Sequence, residues 1–321
     1  MAELLCYRKL SFLRGGGTIF GVCYSPDFRE AEYACVERIE DLERLKGSKY
    51  IPSKKRVLIN GEYVSLWPLV SQKLEEGRTV LFTGLGCDVA ALYSYLAAKG
   101  TDTSRLFTAE LVCYGPALPE VHRQYVDGLE AKYNSRVTSF TVRHKAKGWT
   151  PLHIRAEFEN GQVFITDFYQ SDYGRAFGLY TRDVCYGCRF RGRNHKADVT
   201  LGDYWGLTPD MPGWNKNGVS IFIVRTEKGE ELIRMIPRTE FTLREEDVSF
   251  AVEHNRMYYE PRKKPEGYAK FRRELEALGL HRAVVNHYGR LKFCALLLKE
   301  RVKSAVPAPV KKVLKEILRR G

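Results

Sequence analysis

The sequence predicts an α/β fold with α+β elements: a mixed sheet with flanking helices, a hairpin insertion and a C-terminal helical basic tail. Three observations predict it. Apolar strand-like runs alternate with helical patterns from Thr79 to about Tyr133, which implies a parallel or mixed sheet with helices on its faces. Two Asn-Gly pairs, Asn60-Gly61 and Asn160-Gly161, lie between runs of strand character, where they favour tight hairpin turns. Positive charge is gathered at one end: residues 262–321 hold 17 Lys and Arg against 5 Glu, a net +12 of the chain's +13. Residues 1–261 are thus almost neutral, and the chain divides into a main domain, 1–261, and a basic helical tail, 262–321.

Taken in order, residues 1–14 read as the end of a helix, stopped by Gly15, Gly16 and Gly17 before the buried strand TIFGVCY. Residues 36–46 form a charged helix ending at Gly47, and GSKYIPS is a loop whose glycine, serine and lysine suit a phosphate or a flavin edge. RVLINGEYVSLW is a hairpin, and PLVSQKLEEG is a helix leading to the strand at 79–83. That strand passes through the turn TGLGC into a helix, the first βα unit, and the second runs from Arg105 to about Tyr133. A third strand-like run, SRVTSFTVRHK, follows, then the hairpin HIRAEFENGQVFITDFY and the short helix SDYGRAFGLY. After ADVTLGDYW come a polar loop, the strand GVSIFIVRT, the helix EKGEELIRM and a final strand-turn-helix. The tail reads as helical, its last piece placing Val310, Val313, Leu314, Ile317 and Leu318 on one face and Lys311, Lys312, Lys315, Arg319 and Arg320 elsewhere.

Composition bounds the function. The chain, 321 residues and 44% hydrophobic, is long enough to bury a full core. No apolar run approaches the roughly 18 to 20 residues that cross a membrane, and the start lacks a secretory pattern, so the expected location is the cytoplasm. Eight cysteines in that setting argue for thiols or metal ligands rather than disulfides. No nucleic-acid reading motif accompanies the charge, which argues against nucleic acid. The basic tail suits an anionic membrane surface at the inner face, an acidic partner, or a solvated face on its own domain.

Chemistry is concentrated between Tyr180 and Leu207. Cys185 and Cys188 form a C-x-x-C hook, which lets two thiolates reach one metal from a single turn. The other half of such a site is expected at Cys87, in the glycine turn after the first strand run, and at Cys113, which ends the next. Neighbouring parallel strands would bring those ends together, where α/β sheets place ligands. Cys87 would also lie at a helix N-terminus, whose dipole favours a thiolate. Arg182, Arg189, Arg191, Arg193 and Lys196 surround the hook with positive charge, able to raise a cluster's potential, bind an acidic group or simply face water. His195 reads as a surface-loop histidine, while Asp203 and Trp205 read either as site-lining residues or as a turn aspartate and a packed indole.

TRDVCYGCRF followed by ADVTLGDYWG, the turn FTGLGC, the strand end ELVCYG, the loop LKGSKY and the later NGVSIFIVRTEKG resemble, in this order from about Gly15 to about Met235, the coenzyme F420 hydrogenase and dehydrogenase beta subunits. Members of that family are iron-sulfur flavoproteins. The resemblance implies that Cys87, Cys113, Cys185 and Cys188 hold a 4Fe-4S cluster. It further implies FAD, lined by Gly47, Ser48, Lys49 and Tyr50, with Thr83, Gly84, Arg182, Asp203 and Trp205 completing the cofactor site. The sequence departs from the family pattern in two places. It begins inside or just after a helix that helps hold the flavin, implying a truncated start or a reduced flavin site. Gly86 and Asp88 also stand where a proline and a glutamine are frequent.

The expected function is therefore an iron-sulfur flavoprotein oxidoreductase, or an electron-transfer subunit, with a ferredoxin-like protein, a deazaflavin or another hydride carrier as redox partner. Two other readings stay open. The same four cysteines could form a structural zinc site in a non-enzymatic protein. TGLGCDVAA could also be a dinucleotide-binding turn, although Val89 stands where the third glycine belongs.

Overall fold

The computed structural model of the protein describes residues 12–13, 15–236 and 242–305. The helical readings for residues 1–11 and for the last amphipathic piece of the tail lie outside these residues.

The main sheet has eight strands: β1 (Thr18–Tyr24), β2 (Ala31–Val36), β3 (Ser53–Ile59), β4 (Glu62–Ser65), β5 (Val80–Leu85), β6 (Leu106–Leu111), β10 (Val199–Asp203) and β11 (Ser220–Val224). Their spatial order is β11-β10-β6-β5-β1-β2-β3-β4. The centre, from β10 through β6 and β5 to β1, is parallel, and both margins carry antiparallel pairs, so the sheet is mixed. Crossover helices make the parallel centre possible: α1 (Leu66–Glu75) precedes β5, and α2 (Gly86–Lys99) joins β5 to β6. Along β5 the side chains alternate between two cores. Val80 and Phe82 pack with Leu92 and Leu96 of α2, whereas Leu81 packs with Phe107, Val199 and Leu232 on the opposite face. A strand buried on both faces reads as a continuous apolar run, which is why the sequence marks it so clearly.

Local signals account for the element ends. Asn60 and Gly61 both have positive φ, 50° and 88°, the pattern of a type I′ hairpin turn between β3 and β4. The residues before β1 stop a helix as expected, with the amides of Gly16 and Gly17 bonding the carbonyls of Leu13 and Phe12. Ser171 caps α4 (Asp172–Leu179) by accepting from the Gly174 amide at 3.0 Å, and Thr226 caps α5 (Glu227–Arg234) through the Gly229 amide. Residues 242–247, in the segment read as a final strand-turn-helix, are not strand, and α6 (Val248–Glu253) follows them.

The third strand-like run does not join the main sheet. It is β7 (Val137–His144), which pairs antiparallel with β8 (His153–Phe158), itself paired with β9 (Val163–Asp167), in a separate three-stranded sheet. The reason lies in what its face buries. Val137, Phe140 and Val142 share one core with Val121, Val126 and Leu129 of α3 (Pro119–Tyr133), the helix that precedes β7. Phe271 and Leu275 of α7 (Tyr268–Leu278), Ala283 and Val284 of α8 (Leu280–Tyr288), and Phe293 of α9 (Arg290–Ala305) enter that same core. The first three helices after residue 262 are thus packed against the body, while their outer faces carry the basic charge.

Candidate functional site

The parallel centre of the main sheet brings three carboxyl ends side by side: Leu85 of β5 pairs with Leu111 of β6, and Leu111 with Leu201 of β10. Each end runs directly into a residue singled out by the sequence. Cys87 lies in the first turn of α2, Cys113 lies two residues past β6, and Asp203 closes β10. The first turn is tight because glycine alone fits it. A Cβ at Gly84 would stand 2.5 Å from the Tyr33 hydroxyl, and one at Gly86 would stand 3.0 Å from a Glu110 carboxylate oxygen and 3.2 Å from Phe190. Asp88, where the family pattern has glutamine, is buried beside that turn. It accepts from Tyr33 at 3.0 Å, receives the Leu85 amide and pairs with Lys55 at 2.8 Å.

Of the hook, Cys185 lies in a 3-10 turn over Asp183–Gly187, and Cys188 is the residue that ends it. The hook thiols are electrostatically coupled to the sheet-end thiols: Cys87 to Cys113 and Cys188, Cys113 to Cys185 and Cys188. Cys87 is exposed as a residue, yet desolvation of its thiol, with Asp88 and the other cysteines adding to it, pushes it up to about 12, and burial pushes Cys113 up to about 11. Such thiols need a nearby positive charge to ionise. Among the described residues, no three His, Cys, Asp or Glu side chains stand close enough to hold a single metal ion. The four cysteines therefore do not close on one point.

Two groups favour an anion at Cys113, whereas Cys87 Sγ lies 3.9 Å from the Asp88 carboxylate, which disfavours one. The Gly115 amide donates to Cys113 Sγ at 3.3 Å. Arg191 is buried at 6% exposure, its charge favours the thiolates of Cys113 and Cys185, and its Nε is enclosed with no hydrogen-bond partner. Of the five cationic residues around the hook it is the buried one; Arg182, Arg189, Arg193 and Lys196 are exposed. His195 corrects the surface-loop reading. Its side chain is buried, with Nδ1 on the fully buried Glu110 carboxylate and its ring stacked on Tyr258 at 4.6 Å. Four thiols, an amide donor and an orphaned guanidinium N–H form a donor set that fits an anionic thiolate cluster.

Beside Cys113 the sheet edge opens into a cavity of about 300 Å³. Gly47, Ser48, Lys49, Tyr50, Thr83, Gly84, Asp203 and Trp205 all line it, as Cys113 does; Arg182 does not. The loop at 47–50 is shaped by left-handed backbone at Gly47 and Tyr50, φ 79° and 55°. Lys49 Nζ turns away from any ligand role and donates to the carbonyls of Lys46 at 2.6 Å, Gly47 at 3.1 Å and Arg44 at 3.3 Å. Burial pushes this amine down to about 8. Lys49 thus holds the loop together and presents its stem to the cavity.

Sequence reading named Asp203 at the cavity's charged centre and missed its partner, Arg143. Arg143 of β7 pairs with Asp203 at 2.8 Å, and Tyr50 lines the same cavity. Nothing local in SRVTSFTVRHK marks Arg143, because its position depends on where the second sheet docks. Tyr114, Tyr169 and Trp205 leave exposed rings at the mouth, Trp205 packed on Trp149 at 4.3 Å and Tyr114 under the Arg262 guanidinium at 4.6 Å. This combination, aromatic rings around an apolar cavity with a few fixed polar groups, suits a planar ring system.

An α/β sheet with paired cysteines at its ligand edge and an aromatic-rimmed cavity beside them defines a candidate redox protein. The family described as the C terminus of the coenzyme F420 hydrogenase/dehydrogenase beta subunit matches residues 77–248, more than half of the chain. The chain belongs to this family of oxidoreductase subunits. Among solved structures, it is similar to a chain of the F420-reducing NiFe hydrogenase complex from Methanosarcina barkeri, at 16% identity over 72% of this chain and 70% of that chain, with a TM-score of 0.46. No curated protein matches it.

Proposed function

We propose that the protein is an electron-transfer oxidoreductase subunit in which Cys87, Cys113, Cys185 and Cys188 hold a 4Fe-4S cluster and the adjoining cavity takes a flavin, FAD in the family resemblance. The observation that carries this reading is Cys113, which belongs to the coupled thiols and also lines the cavity, so the two sites share a wall. When bound, a flavin exchanges a hydride for single electrons, and a cluster carries those electrons one at a time.

The chain's own residues orient and insulate such a pair. Tyr50, stacked on Phe177 at 4.8 Å, and the apolar wall of Val22, Leu45 and Leu152 exclude water from one side of a ring in the cavity. Arg143 supplies a fixed donor and Asp203 holds it in place. The Gly115 amide and the Arg191 guanidinium stabilise negative charge on sulfur. The open, aromatic mouth leaves room for a second planar reactant, the hydride carrier. Among the described residues no helix is long and apolar enough to cross a membrane. We place the protein in the cytoplasm, with the basic outer face of the tail toward an anionic membrane surface or an acidic redox partner.

The test is a visible spectrum of anaerobically purified protein, with iron, sulfide, zinc and flavin assayed on the same sample. About four irons per chain and an absorption that bleaches with dithionite support the cluster, and flavin in the same sample supports the cavity assignment. A colourless protein holding one zinc after cluster reconstitution overturns the reading in favour of a structural site.

A further inference from the structure

A buried arginine without an anion is an expensive arrangement. Taking a guanidinium out of water costs several kcal/mol unless a counter-charge and hydrogen bonds replace the solvent. Other arginines that point inward here have a counter-charge: Arg143 has Asp203, and Arg175, equally buried and with its Nε likewise enclosed, has Glu300 at 2.5 Å. Arg191 does not. Among the described residues it forms no ion pair; Nη1 donates to the Met257 carbonyl, and Nε is enclosed without a partner. It follows the hook by three residues, and the thiolates its charge favours are those of Cys113 and Cys185, one from the sheet edge and one from the hook.

We propose that Arg191 is the counter-charge of the four-cysteine site and that it sets the reduction potential of the group held there. The inference rests on the cluster assignment above and extends it to a residue that no comparison assigns. One-electron reduction, whether by a bound flavin or by dithionite, adds one negative charge to the site and makes or breaks no bond. A fixed cation in a low-dielectric pocket stabilises the reduced form more than the oxidised one, because the attraction scales with the charge it faces. Arg191 therefore raises the potential; Arg182, the stronger of the two cations at Cys185, is exposed, and like Arg189 and Arg193 it acts through water and is screened.

The experiment is an anaerobic potentiometric titration of the full chain after cluster reconstitution, followed by electron paramagnetic resonance, for wild type, Arg191→Gln and Arg191→Lys. The expected result is a lower midpoint in Arg191→Gln, by about tenfold in the one-electron reduction constant, ~59 mV, with Arg191→Lys closer to wild type. A wild-type midpoint in Arg191→Gln at full iron content overturns the proposal and leaves the cluster assignment standing. A shift in Arg191→Lys as large as in Arg191→Gln overturns it as well, since charge would not be the cause. If Arg191→Gln does not hold iron, Arg191→Lys decides: iron and midpoint at wild-type values support the counter-charge, and loss of iron there overturns it. Wild type without a cluster defeats the assignment itself.

Discussion

Arg143 and Asp203 meet at 2.8 Å across the seam between the two sheets, Arg143 from the three-stranded sheet and Asp203 from the end of a central strand of the main one. Both side chains are about one-seventh exposed, at 15% and 14%, so the pair is screened far less than one on the surface. It fixes the cavity's polar centre and ties the sheets together. Arg143→Met and Asp203→Asn should each destabilise the protein, and the double variant should cost less than their sum, with a coupling of ~1–3 kcal/mol in urea unfolding. Additive effects, within ~0.3 kcal/mol, would show that the pair does not hold the seam.

The hook supplies two of the four thiols from one turn, so replacing both removes half of the proposed ligand set. Cys185→Ser with Cys188→Ser should abolish iron binding in the reconstituted protein, whereas Cys294→Ser, at an exposed thiol on a C-terminal helix, should keep the wild-type iron content. Retained iron in the double variant would remove the hook from the site.

Much of this arrangement was legible in the sequence because it is written in local signals. Thr79 to Tyr133 announces two βα units through continuous apolar strands and helical periodicity, and adjacency of the strands then places Cys87 and Cys113 together. The loop Gly47 to Tyr50 is marked by its glycine, and the asparagine-glycine turn at 60–61 by both of its residues. What was not legible depends on distant pairing. His195 looks like a loop residue until β10 lies parallel beside β6 and lowers it onto Glu110, 85 positions earlier. Arg143 acquires a role only when β7 leaves the main sheet, a choice made by the core it shares with α3 and the C-terminal helices. Among the cations around the hook, spacing cannot say which is buried; packing against the Met257 segment selects Arg191.

Glu110 is the common acceptor beneath the thiol site. It takes His195 Nδ1, the Thr200 hydroxyl at 2.9 Å and, more loosely, the Lys196 amide at 3.5 Å, while its other side packs against Gly86. Glu110→Ala would leave the buried His195 and Thr200 donors unpaired and should cost ~3–5 kcal/mol in urea unfolding, with Glu110→Gln costing less because it keeps the shape and one acceptor. An unfolding midpoint in Glu110→Ala equal to that of wild type would mean that the site does not depend on this carboxylate.

His122 provides a pH test that is independent of any cofactor. It lies buried on α3, its ring stacked on Tyr24 at 5.4 Å, and its Nε2–H donates to the Phe28 carbonyl at 2.7 Å, while Nδ1 is enclosed without a partner. Burial pushes the imidazole down to about 4 from its ordinary 6.5, against the smaller opposing pulls of the Phe28 carbonyl and Asp27. Between these two values the unfolded chain binds a proton that the folded chain refuses. Stability from this group is therefore full above about pH 6.5 and is lost as pH falls toward 4. At about 1.36 kcal/mol per unit, the loss between pH 7 and pH 5 is about 2 kcal/mol. His122→Gln retains a donor for Phe28 and cannot titrate, so its urea stability should fall less over that interval than that of wild type, by about the same amount. Parallel pH profiles for the two proteins would show that His122 is not the group that must charge on acid unfolding.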